Sequence, residues 1–290
     1  MATKRMDDNN ITYGKNNLAS TEVKTDYQCP NTSIPLELRV SLPPLIPNEI
    51  YLGDSFELCE RVPAKTVDLI LEDMPYNTTA CEWDVKIDLK LYWETRLRLL
   101  KPTGVVVLTS KQPFTSELLH SNAMMFKYEM IWYKDRSTGF LNAKKMPLPN
   151  HENILVFYNN QIKYNPQRYR GRKSHSMGTA AGTKSKTNVY GNFVRNENTD
   201  NLKYPKTVLE FNQPFPQQHN TQKPVGLFEY LIRTYTNEGD LVFDGFGGSG
   251  TTAVAAHKSK RNFIVIEKEK KYCDLAVRRL DSERAQLNIF

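Results

Sequence analysis

The apolar residues fall into short runs separated by polar, proline-marked or glycine-marked breaks. Glu49 to Leu52 is a short strand that ends in Gly53-Asp54, and Val67 to Glu72 is an almost unbroken apolar run. Val105 to Thr109 is another, as expected for parallel strands covered on both faces. Between them, Asp88 to Leu100 places Leu89, Tyr92, Leu97 and Leu100 on one helical face, and Lys101-Pro102-Thr103-Gly104 stops the helix. A helix is expected to start at Ser55, with Ser55 as its N-cap, and another to run from about Pro113 to Met125. Tyr128–Tyr133 and Asn153–Tyr158 read as strands, the second mixed enough to be antiparallel. A helix opened by Pro224 runs to Tyr235, followed by strand Leu241–Asp244 and a glycine-rich turn. Then come helix Ala253–Lys258, strand Asn262–Glu267 and a basic helix from Lys270 to about Leu280. Two stretches lack periodicity. Residues 1–48 read as a polar arm, and residues 161–216, with Gly171, Gly178, Gly182 and Gly191, read as long loops.

Charge gives the second stretch a meaning. The chain of 290 residues carries a net charge of +7. Between Gln161 and Glu210, ten basic residues face three acids, so this window holds the whole excess. Lys163, Arg168, Arg170, Arg172, Lys173, Lys184, Lys186 and Arg195 are its candidate phosphate contacts. Interleaved Tyr164, Tyr169, Tyr190 and Tyr204 favour nucleic acid over a merely solubilising loop. With 39% hydrophobic residues the chain can bury a substantial core, and no apolar stretch is long enough to span a bilayer. The polar stretch Met1–Asn10 lacks a secretory signal's apolar segment. Cys29, Cys59, Cys81 and Cys273 have neither disulfide nor zinc spacing, so a cytoplasmic protein with reduced thiols and no metal is expected.

Two places carry chemistry. Leu69-Ile70-Leu71-Glu72-Asp73-Met74-Pro75-Tyr76 delivers a carboxylate, a stiffened backbone and a ring to the carboxyl end of a strand, where open α/β sheets bind ligands. Alone, it reads equally well as a strand followed by a stiff turn. The second place is Asp244-Gly245-Phe246-Gly247-Gly248-Ser249-Gly250-Thr251-Thr252, between a strand and a helix, with Glu267 at the tip of the next strand. That is a nucleoside-binding βαβ unit, its glycines admitting a ligand to the backbone and its acid placed for ribose hydroxyls. No Lys-Ser or Lys-Thr follows Gly250, which excludes a phosphate loop; NAD stays open on pattern alone.

Asp73-Met74-Pro75-Tyr76 resembles the Asp-Pro-Pro-Tyr motif of DNA amino-methyltransferases. Phe243–Thr252 resembles their S-adenosylmethionine loop, and His219-Asn220-Thr221-Gln222-Lys223-Pro224 the segment preceding it. Gly53-Asp54 and His151–Phe157 also fit the family pattern. The order, catalytic motif before recognition region before cofactor loop, is that of the circularly permuted beta class. The resemblance implies a Rossmann-like α/β fold, with a seven-stranded, mostly parallel sheet containing one antiparallel strand. It divides the chain into the arm 1–48, a catalytic half 49–160, a target recognition region 161–216 and a cofactor half 217–290.

By the same resemblance, Asp73 and the Met74 carbonyl accept the two hydrogens of the target amine, and Tyr76 stacks on a base flipped out of double-stranded DNA. Pro75 stiffens the motif. Asp244, Phe246, Gly247, Gly248, Ser249, Gly250 and Thr251 hold the methionine part of S-adenosylmethionine, and Glu267 the ribose. Asp54 lies near the adenosine or amino group, and Asp73 and Thr221 border the cofactor. Lys223 pairs with the cofactor carboxylate or merely opens the next helix. Met74 and Gly245 stand where the family has prolines. Family members acting on cytosine more often carry Ser at the Asp73 position, so N6-adenine is favoured over N4-cytosine. A nicotinamide-dependent oxidoreductase and a non-catalytic DNA-binding module are the readings of other classes. Homodimers are common in the class, but the sequence gives no interface signal.

Overall fold

The computed structural model describes residues 42–76, 86–171, 184–187, 191–194, 202–215 and 222–287. The elements are β1 (Glu49–Leu52), α1 (Ser55–Leu58), β2 (Val67–Glu72), α2 (Leu89–Leu99), β3 (Leu100–Ser110), α3 (Phe114–Ser121), β4 (Phe126–Tyr133) and β5 (His151–Phe157). After them come β6 (Tyr169–Arg170), β7 (Lys184–Thr187), β8 (Gly191–Val194), β9 (Leu202–Lys203) and β10 (Val208–Glu210). The chain then forms α4 (Val225–Tyr235), β11 (Leu241–Asp244), α5 (Thr251–Lys258), β12 (Asn262–Glu267) and α6 (Lys270–Leu287).

Eight strands form the main sheet in the order β1-β12-β11-β2-β3-β5-β4-β10. Among the described strands of this sheet, only β5 runs antiparallel to its neighbours. Alternate residues of each strand feed opposite faces. Ile70, Val106, Leu108, Ile264 and Ile266 pack with Tyr92, Trp93 and Leu118 of α2 and α3. Leu69, Leu71, Val105, Val107, Phe263 and Val265 pack on the other face with Leu227, Leu231 and Ala255 of α4 and α5. Each such aliphatic side chain contributes roughly 1.5–3 kcal/mol by leaving water.

The eighth strand corrects the expected count of seven. Val208, Leu209 and Glu210 pair in parallel with Ile131, Trp132 and Tyr133 at the sheet edge. Only Leu209 of the three is buried, so the run is too short and too polar to announce itself. The Ser55 N-cap is a second correction. Asp54 caps α1 instead, its Oδ1 accepting from Phe56 N at 2.9 Å, which frees the Ser55 hydroxyl to meet Arg96.

From β11 the chain crosses to β12 on one side, and from β2 it crosses to β3 on the other. The switch point therefore lies between β2 and β11, where Leu69 faces Val242 and Ile70 faces Phe243. The loops after these two strands carry the two motifs singled out in the sequence, and such a crevice is where open sheets bind ligands.

Candidate active site

Asp73 follows directly on the fully buried strand β2. Its Oδ1 accepts from the Tyr76 hydroxyl at 2.5 Å and from the Thr109 hydroxyl, and its Oδ2 accepts from Lys223 Nζ at 2.6 Å. Met74 buries its side chain in the core, so its backbone is anchored by packing where the family uses proline. The Tyr76 ring stacks on Phe114 with centroids 5.6 Å apart. Burial first, and then the Asp73 charge, push the Tyr76 phenol far above its ordinary value, so it remains a neutral donor.

Lys223 is buried between two carboxylates. It lies 2.6 Å from Asp73 Oδ2 and 3.2 Å from Glu152 Oε2, and Glu152 also bonds Lys134. Burial would discharge Lys223, but Asp73 and Glu152 outweigh it and raise its pKa. Burial likewise opposes the charge on Glu152, and Lys223 and Lys134 overcome it, holding that carboxyl below the usual range. Lys223 thus pairs with Asp73 and Glu152 rather than capping α4. The Pro224 cap position makes no side-chain cap bond.

The cofactor loop is built by its own side chains. Asp244 Oδ1 accepts from Phe246 N at 2.9 Å and its Oδ2 from the Thr252 hydroxyl. Ser249 Oγ accepts from Arg279 at 2.9 Å, and the Thr251 hydroxyl donates to the Lys223 carbonyl at 3.3 Å. These three side chains hold the loop in shape through their own bonds. A Cβ on Gly247 would strike Val265, and one on Gly250, at φ 78°, would strike Ala276, so the backbone lies tight over β12 and α6. A Cβ on Gly248, at φ 50°, would meet nothing within 4 Å.

Glu267 takes Gly248 N at 2.6 Å and Glu269 N at 2.7 Å. Burial, despite those bonds, raises its pKa. Asp54, besides capping α1, pairs with Lys268 at 3.4 Å. Phe246 lies edge-on to Phe56, with centroids 6.5 Å apart. A close backbone, an open Gly248 and a strand-end carboxylate together fit a nucleoside-bearing cofactor.

Beneath both loops sits a buried pair not singled out in the sequence. Glu72 Oε1 meets Arg96 Nε at 2.9 Å, and neither side chain is exposed. Tyr92 donates to Glu72 Oε2 at 2.6 Å, Gly245 N donates to Oε1 at 2.9 Å, and Arg96 reaches the Ser55 hydroxyl at 2.5 Å. The guanidinium lies against the rings of Phe56, Tyr92, Phe243 and Phe246. A Cβ at Gly245 would collide with Ser55, Arg96 and Glu72. Glycine therefore fills the family's proline position because a buried ion pair takes both its space and its N–H. The one sequence signal was a glutamate inside an apolar run.

The basic window is only partly described. Lys163 is turned inward, 3.0 Å from Asp68 and 2.6 Å from Asp240, at the amino edge of the sheet. It anchors the start of the window, its charge already paired with two carboxylates. Asn165 continues that anchoring with bonds to the carbonyls of Arg233 and Thr236. The Arg168 guanidinium lies 5.0 Å from the Tyr204 ring, and Arg170 is exposed on β6. Lys184 and Lys186 lie in β7, which pairs with β8; Thr221, Arg172, Lys173 and Arg195 lie outside the described residues. No described helix is long and apolar enough to cross a membrane.

Residues 67–278 match the DNA methylase family of N6 and N4 amino-methyltransferases. The Type II methyltransferase M2.DpnII of Streptococcus pneumoniae is 48% identical over 258 residues, covering 80% of this chain and 88% of that protein. The DNA adenine methyltransferase YhdJ of Escherichia coli is 29% identical over 256 residues, covering 80% and 82%. The crystal structure of the M1.HpyAVI–SAM complex superposes with a TM-score of 0.56 at 26% identity, over 80% of this chain and 99% of that one. This chain belongs to the DNA methylase family. It is a DNA amino-methyltransferase whose cofactor is S-adenosylmethionine.

Proposed function

We propose that the protein methylates the N6 amine of adenine in double-stranded DNA at a specific sequence, taking the target base out of the helix. The observation that carries this reading is the Asp73 carboxylate, set at the switch point with acceptor capacity left over. A carboxylate has about four lone-pair sites. Among the described residues, Oδ1 takes two donors and Oδ2 takes one, which leaves an Oδ2 site for an amine N–H. Asp rather than Ser at this position favours adenine over cytosine, as does the similarity to the DNA adenine methyltransferase YhdJ.

S-adenosylmethionine supplies an electrophilic methyl group when bound. Gly247, Gly248, Phe246 and Glu267 would hold it, Glu267 at the ribose. The exocyclic amine is a poor nucleophile because its lone pair is delocalised into the ring. Asp73 Oδ2 and the Met74 carbonyl accept its two hydrogens, which favours a pyramidal nitrogen with a localised lone pair. Lys223 holds Asp73 Oδ2 in place for that task. The nitrogen turns strongly acidic only as it is alkylated, so its proton leaves without a strong base, and Asp73 acts mainly by orientation. Tyr76, backed on one face by Phe114, would stack on the target base with the other. The exposed cations of the 161–216 window would bind phosphates and give salt-dependent affinity.

Single-molecule sequencing of DNA from cells expressing the protein tests this reading. Modified adenine in one sequence context is expected. Modified cytosine alone would replace the adenine assignment with N4-cytosine methylation.

A further inference from the structure

The loop from β4 to β5 is closed at its base as a continuation of the sheet. Lys134 N donates to the Asn150 carbonyl at 2.8 Å, and Thr138 N to Pro149 at 2.9 Å. Beyond that base, Gly139 turns at φ 75° into a short 3-10 turn over Phe140–Asn142. Phe140 and Leu141 are 77% and 81% exposed. Phe215, 85% exposed, joins the same surface, because Arg136 lies over its ring at 5.7 Å and Asp135 accepts from Gln213 N at 2.8 Å. Lys144 and Lys145 are exposed at the tip. Asp135 is the loop's one acid, and it is already bonded to Gln213. The base of the loop leads straight to the chemistry, from Lys134 through Glu152 and Lys223 to Asp73.

We propose that this tip is a DNA-contact surface that extends the 161–216 window, on which Phe140 and Leu141, with Phe215 from the end of that window, take nucleobases beside the target while Lys144 and Lys145 meet phosphates. The proposal rests on the DNA methyltransferase reading. Apolar groups rimmed by cations, with no unbonded acid in the loop, suit stacked bases carrying phosphates. A second copy of the chain packed on itself here would set the two lysine pairs facing each other.

The test measures binding of a labelled duplex that the wild-type protein methylates, across a range of salt concentrations. Full-length Phe140→Ala/Leu141→Ala should weaken binding about tenfold with an unchanged salt slope. Lys144→Ala/Lys145→Ala should lower that slope by about two. Both should bind S-adenosylmethionine as the wild type does. DNA binding unchanged in both variants overturns the proposal, as does dissociation of a dimer in sedimentation with DNA affinity intact, which assigns the surface to a second copy. Failure of the wild type to methylate any DNA would instead overturn the functional reading on which the proposal rests.

Discussion

Two aspartates end two adjacent strands at the switch point, and their surroundings give them opposite work. Asp73 after β2 is partly exposed and meets a cation and two hydroxyls, with an acceptor site to spare. Asp244 at the end of β11 is fully enclosed. Burial, followed by the nearby Glu72 charge, pushes its pKa up to about 8, and both its oxygens hold the loop's own N–H and hydroxyl. One carboxylate is kept available and the other is closed inside a turn. Position at a strand end therefore does not make an acid catalytic; its partners decide.

Substitutions sharpen that contrast. Asp73→Ala should lower the methylation rate by at least about a thousandfold, on the scale of losing a transition-state hydrogen-bond partner, while calorimetry finds cofactor binding within a few fold. Lys223→Met should cost about 10–100-fold in kcat. A merely structural lysine would lower stability and leave kcat of the folded enzyme unchanged.

Gly245→Pro tests the loop side. It introduces carbon atoms where Ser55 and Arg96 lie and removes the N–H that Glu72 accepts, so it should destabilise by about 2–4 kcal/mol in denaturant titration. Met74→Pro keeps the backbone carbonyl but removes a buried side chain. It should cost about 2–3 kcal/mol of stability while kcat at permissive temperature stays within a few fold. The smallest effect is expected from Asp244→Asn, which keeps the shape and the bond from Phe246 N, and whose amide can donate to the Thr252 hydroxyl in place of accepting from it. A folded-state pKa raised above the ordinary value favours the protonated form. Wild-type stability from this group is thus full below about pH 4 and falls as pH rises through about 8. The asparagine variant should flatten that fall in thermal melts across pH.

Much of this architecture was written in local patterns. Strands β11 and β12 begin and end where the apolar runs do, because buried parallel strands have no polar face to blur them. The Asp73–Tyr76 and Asp244–Thr252 motifs were legible as short stretches, and the fold brings both to the switch point between β2 and β11. The partners of those motifs were not. Arg96 sits on a helix that looks amphipathic, and nothing local says that its charge is buried against Glu72, 24 residues earlier. Lys163 looked like a phosphate contact because net charge counts ions without knowing which are paired. Glu152 and Lys134 join the site only through the antiparallel pairing of β4 with β5, a long-range register that periodicity does not encode.

The most direct test of the Asp73 account is to digest DNA methylated with labelled S-adenosylmethionine by the wild type and by Asp73→Ala, and identify the labelled nucleoside. The wild type should place its label in N6-methyladenine, and the variant, still folded and still binding cofactor, should place almost none. Label in N4-methylcytosine, or undiminished label from the variant, would contradict it.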